Sequence, residues 1–200
     1  MSLENKNPVE LEIKNEWLKK LSNFIVIANG KTWAAEGAEV PPRRPGYKRL
    51  QWSYPAEKMT DQDRKDYEGW EDWRLEDEYT GYFRAPGTTT VYYKDKTAWT
   101  MSYGGHGQTD GYEDQAKQTF IFLRSALMRV SAKLPFRGPE NHEDGNKRYT
   151  FKMMEDGNIE DGLWKEEITE GGIVTFRQTG FVGIIINKDQ NKKPILPWKL

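Results

Sequence analysis

The stretch Trp73-Arg74-Leu75-Glu76-Asp77-Glu78-Tyr79-Thr80-Gly81-Tyr82-Phe83 carries the fold of this chain. Its odd positions, Trp73, Leu75, Asp77, Tyr79, Gly81 and Phe83, are apolar or small apart from one carboxylate, and its even positions are mostly polar. Alternate residues of an extended strand share a face. The pattern therefore predicts a β-strand that turns Asp77 toward aromatic rings and leaves Glu76 and Glu78 pointing to water. A carboxylate on an apolar face must be paired, hydrogen-bonded, neutralised or set at the wall of a pocket, because desolvating a bare charge is costly.

Working outward, Ala85-Pro86-Gly87 and Lys94-Asp95-Lys96 are turns that bound strands over 88–94 and 97–103. Such short connections predict an antiparallel meander. In the last of these strands Trp99, Met101 and Tyr103 share a face, which should be the face of Asp77. Upstream, Leu50, Trp52 and Tyr54 alternate with Arg49, Gln51 and Ser53, which predicts another short strand with one wet side. Further strands are expected over 148–154, 163–169 and 173–179, separated by turns at 155–158 and 170–172. Residues 181–186 are apolar on both faces and belong in the middle of a sheet or under a helix rather than on an edge.

Two helices are expected. Pro8 suits a first helical turn, and Trp17, Leu21, Phe24, Ile25 and Ala28 recur at helical spacing, giving a helix over 8–28. Asp110 can cap a second helix whose stripe is Ala116, Phe120, Leu123, Leu127 and Val130, ended by Pro135. Residues 36–46 hold Pro41, Pro42 and Pro45 and form a loop. Residues 55–69 form a charged surface insertion with room for a helical turn, His142-Glu143-Asp144-Gly145 a turn, and 187–200 a C-terminal tail. The sum is one α+β domain over 1–200, a curved antiparallel sheet meander of about six or seven strands packed with two main helices.

Composition supports an ordered domain with an aromatic core. Only 36% of the 200 residues are hydrophobic, yet there are 8 Trp, 10 Tyr and 8 Phe. Disordered chains are poor in rings, and each large ring buries roughly 150–250 Å². The 30 basic and 31 acidic residues are interspersed and leave a net charge of −1, which argues against direct nucleic-acid binding. The absence of cysteine excludes disulfides, thiolate metal sites and cysteine nucleophiles. No apolar stretch reaches the about 18 residues that span a bilayer, and the N-terminus has no apolar leader, so a cytoplasmic location is expected.

Arg44-Pro45-Gly46 with Leu50-Gln51, then Asp77-x-Tyr79-x-Gly81-Tyr82-Phe83, Trp99-x-Met101-Ser102-Tyr103-Gly104 and Phe136-Arg137-Gly138-Pro139, together resemble the bacterial domain-of-unknown-function family 5680. The resemblance runs from about Phe24 to Gly183. Members of that family stand alone or follow a helix-turn-helix domain, which implies a sensing or effector-binding role. This chain has no helix-turn-helix segment, and it departs from the pattern in the charged insertion after Tyr54 and in Ser102, where asparagine is expected. The resemblance implies no catalytic residues.

Asp77 is the leading candidate. In an aromatic pocket walled by Trp52, Tyr54, Trp73, Tyr79, Trp99 and Tyr103 it would hold a cationic ligand group, with ring faces adding cation–π attraction. The competing reading is a structural carboxylate tied to Arg43, Arg44 or a backbone amide. Arg44, beside Pro45-Gly46, could clamp an anionic group with its guanidinium fork. His106, in Tyr103-Gly104-Gly105-His106-Gly107, is a candidate acid or base partner for Asp77, set against simple exposure in a glycine-rich turn. With His142 the only other histidine, no multi-histidine metal site is available, and the 156–162 run fails as a calcium loop. The expectation is a sensor-like small-molecule binding domain without metal or cofactor. The alternatives are a metal-independent acid–base enzyme using Asp77 and His106, and a protein-interaction domain using 181–186, Tyr82 or Tyr92, including a homodimer.

Overall fold

The computed structural model of the chain describes residues 8–32, 39–54, 59–82, 85–107 and 111–200. Nine strands form one antiparallel sheet that does not close. The strands are β1 (Glu39–Val40), β2 (Tyr47–Ser53), β3 (Trp73–Thr80), β4 (Gly87–Tyr93), β5 (Lys96–Gly107), β6 (Asn141–Asp144), β7 (Lys147–Met154), β8 (Asp161–Glu170) and β9 (Ile173–Ile184). Their spatial order is β1-β2-β3-β4-β5-β9-β8-β7-β6. Two meanders, β1 to β5 and β6 to β9, thus meet along a central β5–β9 seam. Between them the chain crosses through helix α3 (Glu113–Leu127), and helix α1 (Pro8–Lys31) precedes the sheet.

The register fixes which residues share a face. Leu50, Asp77, Thr89, Met101 and Val182 form one cross-strand row, and Trp52, Leu75, Val91 and Trp99 form the next. Both helices cover this face. The stripe expected on α1 is buried as spaced, with Phe24 centred 5.5 Å from Trp52 and 5.3 Å from Trp73, and Trp17 stacked 5.8 Å from Trp73. The helix runs past 28 to Lys31. On α3, Leu123 and Leu127 are buried and Phe120 packs edge-on to Phe176 at 5.7 Å. This helix ends at Leu127, short of Val130 and Pro135, and Asp110 lies outside the described residues.

The strand number exceeds the expected six or seven because both edges are short strands without a period of their own. β1 has 2 residues and pairs with β2 inside the proline-rich loop. β6 has 4 residues and pairs with β7, where a turn was expected; His142 stacks 5.3 Å over Phe122 and bonds Ser125 Oγ at 3.1 Å. Short edges leave little backbone open to pairing with other chains.

One further expectation is corrected. Residues 187–200 are a folded cap: β10 (Asn187–Lys188) pairs with β11 (Pro194–Ile195), and Trp198 on a single 3-10 turn packs 6.1 Å from Trp17. The insertion carries helix α2 (Asp61–Asp66), started by a Thr60–Asp63 capping box in which each side chain bonds the other's backbone N–H, at 3.0 and 3.1 Å. It is anchored to the core by Tyr67, edge-on to Trp52 at 5.7 Å. Residues 55–58 of the insertion lie outside the described residues.

The segment 173–179 and the first part of 181–186, as far as Ile184, are one strand, β9, held centrally between β5 and β8. Continuity depends on Gly180, where a Cβ would collide with the Ser102 carbonyl oxygen and lie 2.6 Å from Trp164 Cζ2. Gly180→Ala is expected to cost about 3 kcal/mol, the upper range for overpacking, and urea denaturation would read it as a lower midpoint. An unchanged midpoint would refute the steric argument.

Candidate functional site

Asp77 lies on the helix-covered face of β3, as the alternation predicts, and is 1% exposed. Thr89, directly opposite on β4, donates its hydroxyl to Oδ1 at 2.6 Å. Tyr103 of β5 donates to the same carboxylate, at 3.1 Å from Oδ1 and 3.0 Å from Oδ2. Tyr103 reaches it by leaning over Gly87, which pairs with both Tyr79 and Tyr103; any side chain at 87 would strike the Tyr103 hydroxyl. Burial pushes the Asp77 carboxyl up to about 6, against the opposing pull of the Thr89 and Tyr103 hydrogen bonds and the Arg137 charge. Burial likewise raises the Tyr103 phenol well above its usual range, with the Asp77 charge adding to it.

Beside this pair lies a buried ionic network. Arg137, in the loop after α3, is 4% exposed and grips Glu166 of β8 through Nε at 3.0 Å and Nη2 at 2.5 Å. Tyr149 of β7 donates its hydroxyl to Glu166 Oε2 at 2.8 Å and accepts the Gly138 N–H at 3.1 Å. The Arg137 guanidinium sits 5.6 Å from the ring centres of both Tyr103 and Trp164. A bidentate, fully desolvated pair of this kind holds the arginine in one orientation.

A cavity of about 270 Å³ opens between this floor and α3. Asp77, Tyr103, Arg137 and Gln178 line its buried end, and Phe120, Leu123 and Leu127 of α3 give it an apolar wall. Lys48, Tyr82 and Arg124 line its exposed end. Gln178 is 3% exposed and, among the described residues, its Oε1 has no hydrogen-bond partner. A buried acceptor left so is uncommon and costs about 1–3 kcal/mol. Tyr79 stands between the two ends: burial raises its phenol, and it feels Lys48 and Arg124 on one side and Asp77 on the other.

Of the residues expected to wall a pocket, Asp77, Tyr79 and Tyr103 line this cavity and Trp52, Tyr54, Trp73, Trp99 and Arg44 do not. The tryptophans are solid core. Trp52 and Trp73 are plugged by α1, while Trp99 is fully buried, packs 6.1 Å from Phe136 and donates its N–H to the Ile159 carbonyl at 2.9 Å. Tyr54 turns its hydroxyl to the Arg64 carbonyl at 3.1 Å. Arg44 sits on the opposite sheet face, 3.3 Å from Glu78 and over the Tyr47 ring at 3.9 Å. The side chain of His106 lies outside the described residues. Its backbone pairs with Arg177, one register position beyond the Gly105–Gln178 pair and three beyond Tyr103–Gly180.

Glu76 is the clearest correction. It does not point to water: it is 3% exposed, beneath Arg43 at 2.7 Å, Arg49 at 2.8 Å and Arg74. Arginines from separate segments converge on one carboxylate, so Arg43 and Arg44 serve Glu76 and Glu78 rather than Asp77. Of the residues the sequence reading did not choose, Glu166 carried a usable pattern. Trp164, Glu166 and Ile168 alternate just as Leu75, Asp77 and Tyr79 do, placing a second carboxylate in a buried row. Gln178 follows by the same rule between Phe176 and Gly180, whereas Lys48, Arg124 and Leu127 meet only through tertiary packing.

Among the described residues no group of three or more His, Asp or Glu side chains is placed to hold a metal ion, and no helix is long and apolar enough to cross a membrane. A family model described as "Domain of unknown function (DUF5680)" matches residues 77–185, more than half of the chain. The chain belongs to this family. The DUF5680 match begins at Asp77 itself and includes the cavity residues named above except Lys48; it excludes α1, β1 and β2. Searches of curated proteins and of solved structures gave no significant match.

Proposed function

We propose that this chain is a small-molecule binding domain whose site is the cavity between α3 and the sheet. The observation that carries the reading is that Asp77 and Gln178, whose Oε1 has no hydrogen-bond partner among the described residues, both line the buried end of one open cavity. Two buried acceptors of this kind are what a ligand's donors would satisfy. The cavity volume is near the lower end of the about 300–1,000 Å³ typical of ligand sites, which favours a compact metabolite.

Among the described residues no tryptophan lines the cavity, so thermal shift is a better readout than indole fluorescence. Screened against a library of cationic, anionic and neutral metabolites, a true ligand at about 100 times its Kd adds about 2.7 kcal/mol and raises Tm by roughly 5–10 °C. The shift should vanish in Leu127→Trp, which fills the cavity from α3. A library that leaves Tm unmoved would end the proposal.

One observation favours a second reading, metal-independent acid–base catalysis: a carboxyl at about 6 titrates close to neutral pH inside a cavity. In that reading Asp77 is the base and Tyr103 its hydrogen-bonded partner. It requires turnover of a bound compound whose rate rises through pH 6 and is lost in Asp77→Asn.

A further inference from the structure

The cavity has two electrically different ends, and the difference specifies a ligand class. We infer that the site takes a compact amphoteric metabolite, with a protonated amine at Asp77 and Gln178, an apolar body along α3, and a carboxylate at Lys48 and Arg124. This rests on the binding reading above.

At the buried end both groups that lack a full set of donors are acceptors. Asp77 is served by the two hydroxyls of Thr89 and Tyr103, and Gln178 Oε1 has no partner among the described residues. Among the described residues the cation near them, Arg137, is bound bidentately by Glu166, which offsets much of its charge and leaves only part of its attraction for Asp77. An ammonium supplies three N–H donors and a positive charge, meeting the needs of an amide oxygen and a carboxylate together. A ligand hydroxyl offers a single donor and leaves the Asp77 charge unmatched.

At the exposed end the charges reverse. Lys48 and Arg124 line the opening, and the contact of Lys48 with Glu39 at 3.6 Å is loose and exposed, so a ligand anion can displace it. Lys48 pairs across the sheet with Tyr79, two residues along β3 from Asp77, and all three line one cavity, so the ends are separated by about the span of one small molecule rather than belonging to distant patches. Phe120, Leu123 and Leu127 make the wall between them apolar, which suits a ring or branched chain. Amine inside, hydrocarbon in the middle and carboxylate outside is the arrangement of an ω-amino acid, whose two charges sit at opposite ends of an apolar skeleton.

The test uses four probes of one shape, 4-(aminomethyl)benzoate, 4-methylbenzylamine, 4-methylbenzoate and 4-methylbenzyl alcohol, titrated calorimetrically into the whole chain at pH 7.5. 4-(Aminomethyl)benzoate should bind at least tenfold tighter than either singly charged analogue. Asp77→Asn should weaken 4-(aminomethyl)benzoate and 4-methylbenzylamine at least tenfold and leave 4-methylbenzoate unchanged. Lys48→Met, an exposed substitution that leaves the core intact, should weaken 4-(aminomethyl)benzoate and 4-methylbenzoate and spare the amine. Tightest binding by 4-methylbenzoate or the alcohol, or amine binding indifferent to Asp77→Asn, overturns the assignment. If none of the four binds while other library compounds do, the amphoteric class is wrong and the cavity reading stands. If the whole library is silent, the cavity reading falls with it.

Discussion

Asp77→Asn should melt well above the parent chain at pH 8, by roughly 6–12 °C for a domain of this size. The folded protein holds the Asp77 proton up to about 6, against an ordinary 3.8, because burial disfavours the charged form. That gap corresponds to about 3 kcal/mol. Since the folded value is the higher one, the contribution is fully present below 3.8 and is lost as pH rises through 6. Asparagine is neutral at every pH, can accept from Thr89 through Oδ1 and can donate to the Tyr103 oxygen, so it keeps what the ionised carboxylate loses. Denaturation of both proteins from pH 3 to 8 should give curves that coincide in acid and separate between pH 4 and 6. A difference independent of pH would refute the linkage. A residue whose replacement stabilises the fold is retained for some other reason, and a binding site is where such a trade is expected.

Arg137→Met should have the largest effect in the opposite direction. The Glu166 carboxylate is fully buried and takes two hydrogen bonds from Arg137 and one from Tyr149. Removing one member of a buried pair costs about 3–5 kcal/mol, because the other charge is stranded, and Tm should fall by roughly 6–20 °C. The double variant Arg137→Met with Glu166→Leu removes both charges while keeping the volume filled, and it should recover most of that loss. If the double variant is no better than the single one, the pair is a net source of stability rather than a positioning device for the cavity floor.

The frame of the fold is legible in the alternation of Trp73 to Thr80, which sets both the strand and the direction of Asp77. The Phe24 and Leu123 stripes place the helices. The site is legible only in part, for a physical reason. Alternation assigns a side chain to a face, but does not say whether that face is filled. Trp52 and Trp73 share the face of Asp77, yet rings from α1, remote in sequence, fill the space beside them, while α3 stands off from Asp77 and Tyr79 and leaves a gap. Glu76 fails in the same way, since its arginines come from the proline-rich loop, from β2 and from β3. The edge strands β1 and β6 carry no pattern because pairing with a neighbour alone makes them strands. Glu166 could have been found, being a second carboxylate in an apolar row; it escaped because Lys165 and Glu167 on either side make the segment look uniformly charged.

The β5–β9 seam joins segments that lie far apart along the chain, whereas the hairpins on either side of it join near neighbours. Closing long loops carries the larger entropic cost and slows folding, so the two meanders should organise early and zip together last. Asp77 and Tyr103 come from the first meander, Gln178 and Glu166 from the second. The cavity floor therefore exists only in the zipped molecule, and a bound metabolite would act as a clasp across that junction, slowing unfolding far more than it speeds folding.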